Sequence, residues 1–281
     1  MPLYIAMILS WAINIKLLFL FSNIQLTYSH IIPLIAIILI SSNRYSVQFA
    51  IAHEIMHKPG RFYRILGTLH MTNLYYTHFT YHHLHIHHKL VSTPLDPASA
   101  QKGQNVYSFV YSSVVNSWKG VYEEEKKNGK AFFNNCAVWS VGGTLCYMTV
   151  VYLTFGLQPL IIHSIMASGA IFYLEAINYI EHYGLHRKKL PSGEYEKVTI
   201  LHSWNAPHRF TNYLLFKLQR HSDHHENSSK PFQTLDSMEQ SPFLPHGYNL
   251  MILMSFFPKV LISSFRSGSA SWILWWRPTK N

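Results

Sequence analysis

Four short stretches of this chain carry the residue types that do chemistry: His53-Glu-Ile-Met-His57, His82-His83-Leu-His85-Ile-His87-His88, Asn178-Tyr-Ile-Glu-His182 and His221-Ser-Asp-His224-His225. Together they hold most of the 19 histidines. Neutral imidazole is a good ligand for iron, zinc, copper and nickel, so such boxes on separate segments point to a multi-metal centre with redox chemistry rather than to one structural ion. Residues four apart on a helix share one face, with Cβ atoms roughly 5–6 Å apart. His53 and His57 have that spacing, and His83 and His87 repeat it with His88 as a neighbour. His221, His224 and His225 form a third set, and His182 closes the fourth. Nine such ligands suffice for two metals with open positions for oxygen or substrate.

The remaining histidines are read more plainly. His30, His70, His163 and His246 stand alone and are expected to be surface, turn or core residues. His78, His82 and His85 are either hydrogen-bonding neighbours of the ligands or polar members of a crowded segment. A purely structural role for all three multi-histidine sets would put many polar rings beside apolar segments without partners, at high cost. Glu54, Glu181 and Asp223 each adjoin a ligand histidine and are candidates to accept ring N–H groups and set the tautomers.

The elements that position these boxes are apolar helices. Residues 3–22 form an apolar stretch interrupted by Ser10, Asn14 and Lys16, and about 20 such residues cross roughly 30 Å of hydrocarbon. The stretch lacks a basic leader and a small-x-small site, so it reads as a span and not as a cleaved signal. Three further spans are predicted at 31–52, 136–157 and 159–180. Ser41-Ser-Asn-Arg44 is expected to make the second irregular, and Gly156-Leu-Gln-Pro159 reads as the turn between the last two. The fold class is therefore all-α, a multi-span helical membrane protein of about four spans with a histidine-rich di-metal cap. Residues 1–281 are expected to form one domain. Cys136 and Cys146 fall in the third span and read as packing residues.

Net charge is +10, but the basic residues are not arranged for nucleic acid and no nucleic-acid-binding motif is present. Of 23 Lys and Arg, nine lie between Lys58 and Lys130 and twelve between Arg187 and Lys280. By the positive-inside rule the polar segments 53–135 and 183–281 then face the cytoplasm, with the boxes at or beyond the cytoplasmic ends of spans. Trp139, Trp272, Trp275 and Trp276 suit interfacial anchoring in the bilayer. Residues 61–88 are expected to be largely helical, ending before the breaker Thr93-Pro-Leu-Asp-Pro97. Residues 105–130 are predicted as an amphipathic helix, Pro191-Ser-Gly193 as a loop, and 213–225 as a short helix bearing the last box.

His53-Glu54-Ile-Met-His57 also matches the two-histidine zinc motif of metalloproteases, with the glutamate as general base. One zinc needs only three protein ligands, which leaves the other boxes without a role.

Around these residues the chain resembles the integral-membrane alkane 1-monooxygenases, within the membrane fatty-acid desaturase and hydroxylase superfamily. The likeness extends to His53-Glu-Ile-Met-His-Lys58, Thr93-Pro-Leu-Asp-Pro-Ala-Ser99, Leu174-Glu-Ala-Ile-Asn-Tyr-Ile-Glu-His-Tyr-Gly-Leu185, His202-Ser-Trp-Asn205 and Leu218-Gln-Arg-His-Ser-Asp-His-His225. The chain departs from the family at His82 and Ile86, where members carry glutamate and glycine, and in having about four spans in place of six. The resemblance implies that His53, His57, His83, His87, His88, His182, His221, His224 and His225 bind two irons. It further implies O2 as co-substrate, hydroxylation of a terminal C–H of an apolar alkyl chain, and a rubredoxin-like or other small iron-sulfur electron donor. A membrane fatty-acyl desaturase or hydroxylase is the alternative with the same cluster, the zinc protease is another, and a non-catalytic membrane protein is a third.

Overall fold

A computed structural model describes residues 2–267. Trp272, Trp275 and Trp276, and with them most of the segment 263–281, lie outside that range. Every regular element among the described residues is helical. Four helices are long and apolar enough to cross a membrane: Pro2–Asn23, Tyr28–Met56, Cys136–Phe155 and Leu157–His182. The chain divides into two compact units, Met1–Leu84 with Ser117–Leu174, and His85–Asn116 with Glu175–Asn281.

The first unit begins with α1 (Pro2–Asn23) and α2 (Ile31–Met56). Contrary to the expected irregularity at Ser41–Arg44, α2 is continuous, and it carries the first box to its end with His57 as the C-cap. Arg44, the charged residue of that stretch, is satisfied by a neighbour, donating to Asn14 Oδ1 at 2.6 Å, and one turn on Gln48 Oε1 accepts from Asn73 Nδ2 at 2.9 Å. A buried polar group with a partner does not break a helix. Two glycines allow close approach to α2. On α3 (Arg61–Thr72), a Cβ at Gly67 would meet Met56 Cβ at 3.1 Å and Ala52 O at 3.2 Å.

Residues 61–88 are not one helix. The backbone turns after Asn73, with Tyr75 at φ +59°, and re-forms as α4 (Phe79–His82), which leads into a π-helical turn over His83–His87 and then α5 (His88–Leu90). A π turn adds a residue per hydrogen-bonded ring, so side chains four apart no longer share one face. The division between the two units falls inside this turn.

Beyond it, α6 (Val106–Lys127) is amphipathic as expected. α7 (Cys136–Phe155) starts at an Asn135 cap whose side chain accepts from Ala137 N, and it stops at Gly156 in a left-handed conformation, φ +92°. α8 (Leu157–His182) follows directly, and a Cβ at its Gly169 would strike Ser42 of α2. Cys136 donates to Glu125 Oε2 at 3.1 Å, so it is more than a packing residue, and Cys146 is exposed on α7.

In the second unit the predicted loop at Pro191–Gly193 is the tip of a small hairpin closed by a Lys189–Tyr195 bridge. The last box does not ride on a helix over 213–225. α9 (Arg209–Leu214) ends before Phe216 and Lys217, both at positive φ, and the box has its own short helix, α10 (His221–Glu226). Two successive left-handed residues cannot belong to a right-handed helix. α11 (Tyr248–Ser255) and α12 (Pro258–Ser267) complete the unit.

Candidate metal centre

The second unit brings four of the nine predicted ligands together: His87, His182, His221 and His225 each present a nitrogen, and all four atoms lie within 4.8 Å of one another. All four residues are at most 5 % exposed. His182 Nε2 and His221 Nε2 are 3.2 Å apart, and His221 Nε2 and His225 Nε2 are 3.0 Å apart. Donors that share an ion at about 2.0–2.1 Å are separated by roughly 3 Å, so the spacing fits one first-row metal. Burial beside other imidazoles pushes His225 well below the ordinary histidine range and keeps it neutral, as a ligand must be.

Two of the four rings, His87 and His182, are held from behind. His87 Nδ1 lies 2.8 Å from Asp96 Oδ2, and since a carboxylate only accepts, Nδ1 carries the proton and Nε2 is the nitrogen able to bind a metal. Asp96 also accepts from Ser99 Oγ at 2.6 Å and Ala98 N at 3.1 Å, so the whole turn after the second box is built around this carboxylate. His182, the last residue of α8, faces the carbonyl of His202 at 3.4 Å with Nδ1. Trp204 N donates to Glu181 O, and Asn205 Oδ1 accepts from Ser222 N at 2.9 Å. The segment 202–205 thereby ties the end of α8 to the start of α10.

Of the carboxylates proposed from sequence, Glu181 Oε2 stands 3.2 Å from His221 Nε2, and its Oε1 accepts from Tyr248 OH at 2.5 Å. It reaches the ring nitrogen that faces His182 and His225, not Nδ1 on the opposite side of the ring. Glu54 Oε1 is 3.7 Å from His53 Nδ1, beyond hydrogen-bond range. Asp223 makes its contacts elsewhere, accepting from Lys230 Nζ at 2.6 Å, Asp236 N at 2.7 Å and Asn227 Nδ2 at 3.0 Å. These donors hold its carboxyl below the ordinary range, despite burial that acts in the opposite direction.

In the first unit His53, His57 and His83 form a trio with ring centroids 4.6–5.1 Å apart, and His83 Nε2 is 3.0 Å from His57 Nε2. Phe79 stacks on His83 at 5.1 Å and fixes its plane. In the second unit His88 Nε2 and His224 Nε2 lie 3.2 Å apart. The π turn thus sends His83 and His87 to different partners, although their spacing suggested a shared face. His78 pairs with Ser117 Oγ at 3.1 Å, and burial lowers its pKa to about 3. His82 and His85 join no cluster of ligand atoms among the described residues. His70 accepts from Trp11 Nε1 at 2.9 Å, His163 lies between Tyr45 OH and Asn73 O, and His30 caps Thr27, each a structural role.

Sequence reasoning named the Thr93–Ser99 and His202–Asn205 motifs without giving Asp96, His202 or Asn205 a role. It had no signal for Tyr248. These residues act from 9 to 67 positions away along the chain, so only the fold joins them to the ligands.

A family model described as fatty acid desaturase matches residues 29–253. The chain belongs to the fatty acid desaturase family. Within it, the chain is similar to alkane 1-monooxygenase 2 of Pseudomonas aeruginosa, 35 % identical over 219 residues, which are 76 % of this chain and 58 % of the relative. It is likewise similar to alkane 1-monooxygenase of Acinetobacter baylyi, 38 % identical over 213 residues, covering 74 % and 52 %. The xylene/toluene monooxygenase hydroxylase component of Pseudomonas putida is 25 % identical over 214 residues, covering 72 % and 55 %. The chain spans about half the length of the curated relatives it matches. The family and the four apolar helices make this a membrane protein, and its buried imidazole clusters are suited to metal.

Proposed function

We propose that this protein, acting as one domain over residues 1–281, hydroxylates a terminal C–H of an alkane or alkyl chain with O2. The observation that carries the reading is the set of four buried imidazoles, His87, His182, His221 and His225, in a chain similar to alkane 1-monooxygenases. The nine histidines His53, His57, His83, His87, His88, His182, His221, His224 and His225 hold two irons. Neutral nitrogen donors suit iron(II). When bound, the irons supply the oxygen chemistry.

The reaction balances as R–CH3 + O2 + 2 e⁻ + 2 H⁺ giving R–CH2OH + H2O. A small iron-sulfur protein of the rubredoxin kind supplies the electrons from the cytoplasmic side, where the basic segments face an acidic partner. The chain's own groups set the site. Asp96 and the His202 carbonyl orient His87 and His182, Tyr248 holds Glu181 beside His221, and the apolar spans draw a water-insoluble chain toward the ligands. The zinc-protease reading leaves the cluster of four without work.

The test uses iron-loaded protein in nanodiscs, reduced chemically and given O2 and octane. The expected product is 1-octanol, and His182→Ala removes it while membrane insertion persists. An alkene product would transfer the protein to desaturase chemistry, and full activity in the variant would remove His182 from the ligand set.

A further inference from the structure

Inside the first unit two buried groups form a pair that hydroxylation itself does not use. Tyr45 of α2 and His163 of α8 are both fully buried, and Tyr45 OH lies 3.0 Å from His163 Nδ1. On the other side of the ring, His163 Nε2 lies 3.0 Å from the carbonyl of Asn73, the residue that caps α3. A carbonyl only accepts, so Nε2 carries the single proton of a neutral imidazole and Nδ1 keeps its lone pair. The phenol therefore donates to Nδ1. The bonds that tie α8 to α2 and to the end of α3 also leave a tyrosine facing a free base, and an ionisable pair kept inside a span is a costly arrangement that marks function.

Two other tyrosines pack on the same imidazole, Tyr75 with centroids 5.4 Å apart and Tyr147 at 5.7 Å. Tyr75 OH pairs with Ser164 Oγ at 3.3 Å, and Tyr147 OH donates to Asn73 Oδ1 at 2.7 Å. A hydroxyl or an amide oxygen does not take up a proton near neutral pH, whereas imidazole does. Of the three phenols, Tyr45 is the one that donates to a base. Beside it runs a polar layer in which Arg44 donates to Asn14, Asn14 exchanges bonds with Gln48, and Gln48 accepts from Asn73. The Arg44 guanidinium also lies 4.6 Å over the Tyr45 ring. That cation penalises a positive charge left on the ring, so loss of an electron from Tyr45 goes with transfer of the phenol proton.

Tyr45 and the ligand His53 share α2, eight positions apart, which places them about 12 Å apart along the axis and about 80° around it. Phe49 lies between them, four positions from each. Its ring meets Tyr76 at 6.0 Å and Phe79 at 6.1 Å, and Phe79 stacks on His83. Packed rings thus lead from the turn after Tyr45 to the trio His53, His57 and His83. An electron tunnels through such packing and needs no cavity.

We propose that Tyr45 and His163 are a proton-coupled redox pair that gives one electron to the metal-loaded histidine site when O2 has been activated and no alkyl chain is in reach. The inference rests on the hydroxylase reading, which supplies the oxidant. A turn starts with O2 and two electrons from the donor. Without a C–H to attack, completing O2 + 4 e⁻ + 4 H⁺ to 2 H2O takes two electrons more. Tyr45 supplies the first: Tyr45–OH + His163 gives Tyr45–O• + His163–H⁺ + e⁻, as the O–H bond breaks and an N–H bond forms at Nδ1. The donor supplies the second, and one further donor electron restores the phenol as Nδ1 returns its proton. The ligand imidazoles are thereby spared oxidation.

The test mixes iron-loaded, chemically reduced protein in phosphatidylcholine nanodiscs with O2 and no alkyl substrate, and freezes it for electron paramagnetic resonance. A neutral tyrosyl radical is expected in the wild type and in Tyr147→Phe, and Tyr45→Phe is expected to lose it. His163→Gln keeps a donor for the Asn73 carbonyl but cannot hold the proton, and should slow radical formation at least about 100-fold. After repeated substrate-free cycles, oxidised His53, His57 and His83 counted by mass spectrometry should rise in Tyr45→Phe. A radical of wild-type size in Tyr45→Phe, or O2 consumption by the wild type with no radical, overturns the proposal, and a level histidine count overturns its protective role.

A second arm needs no metal. Flash excitation of an amphiphilic ruthenium polypyridyl in the disc, with persulfate as electron acceptor, oxidises the metal-free protein directly. The long-lived tyrosyl signal is expected to vanish in Tyr45→Phe, and its persistence there overturns the pair. Should the iron-loaded wild type consume no O2, the hydroxylase reading falls and with it the oxidant, while the flash arm still decides whether Tyr45 and His163 act as a redox pair.

Discussion

Replacing Asp96 by Asn probes how the site is held. The side chain is fully buried, and its Oδ2 accepts from His87 Nδ1 at 2.8 Å and Ser99 Oγ at 2.6 Å. Asn keeps the size but offers only one acceptor atom and adds an NH2, which in this place would face a donor. His87 then loses the partner that fixes its proton on Nδ1 and its Nε2 toward the ion. Loss of such a partner typically weakens metal affinity 10–100-fold, or about 1.4–2.7 kcal/mol. Stabilisation by bound metal grows with the logarithm of ligand concentration over Kd, so the gap in stability between metal-loaded and metal-free protein should shrink by the same amount. Metal content after dialysis against graded chelator, with Tm for both forms, measures both quantities. The difference between the two forms removes the general cost of disturbing a buried carboxylate. If Asp96→Asn keeps its metal within about twofold of wild type, Asp96 does not orient the ligand and the account of His87 is wrong.

Gly169→Ala places a methyl 2.8 Å from Ser42 Cβ and against its Oγ. Overpacking of roughly 1–3 kcal/mol should outweigh the roughly 1 kcal/mol that a helical Ala gains over Gly, and a variant that resists heating in detergent better than wild type would refute the close approach. Burial lowers the pKa of His70 from 6.5 to about 4, so the unfolded chain takes up the proton first. His70 contributes fully above pH 6.5, and about 3 kcal/mol is lost as pH falls from there to 4. His70→Gln, which keeps an acceptor for Trp11, should flatten that part of the profile of Tm against pH, and an unchanged acid limb would show that His70 is not its source. Tyr248→Phe removes the donor to Glu181 Oε1 beside His221. Metal affinity should fall by several-fold with little change in the membrane fraction, and equal affinity would make the hydroxyl a packing detail.

Long uniform signals were legible in the sequence. Twenty apolar residues can hardly be anything but a span, and all four spans appear with their ends shifted by a few positions. The histidine sets were legible because so much imidazole has few other uses. What failed was local backbone geometry. The π turn at His83–His87 and the two left-handed residues Phe216 and Lys217 depend on tertiary context, and helical rules applied across them put His83 and His87 on one face and ran one helix from 213 to 225. The polar layer around Arg44 was also invisible as such. Asn14 and Arg44 read as isolated interruptions of apolar helices, Gln48 and Asn73 gave no signal, and only their mutual hydrogen bonds make the four one feature.

The number and identity of the metals bound per chain test the central claim most directly. Protein purified from iron-replete cells should contain two irons per chain by elemental analysis, and His221→Ala should reduce that content. One zinc per chain, or a folded protein that holds no metal at all, would contradict it.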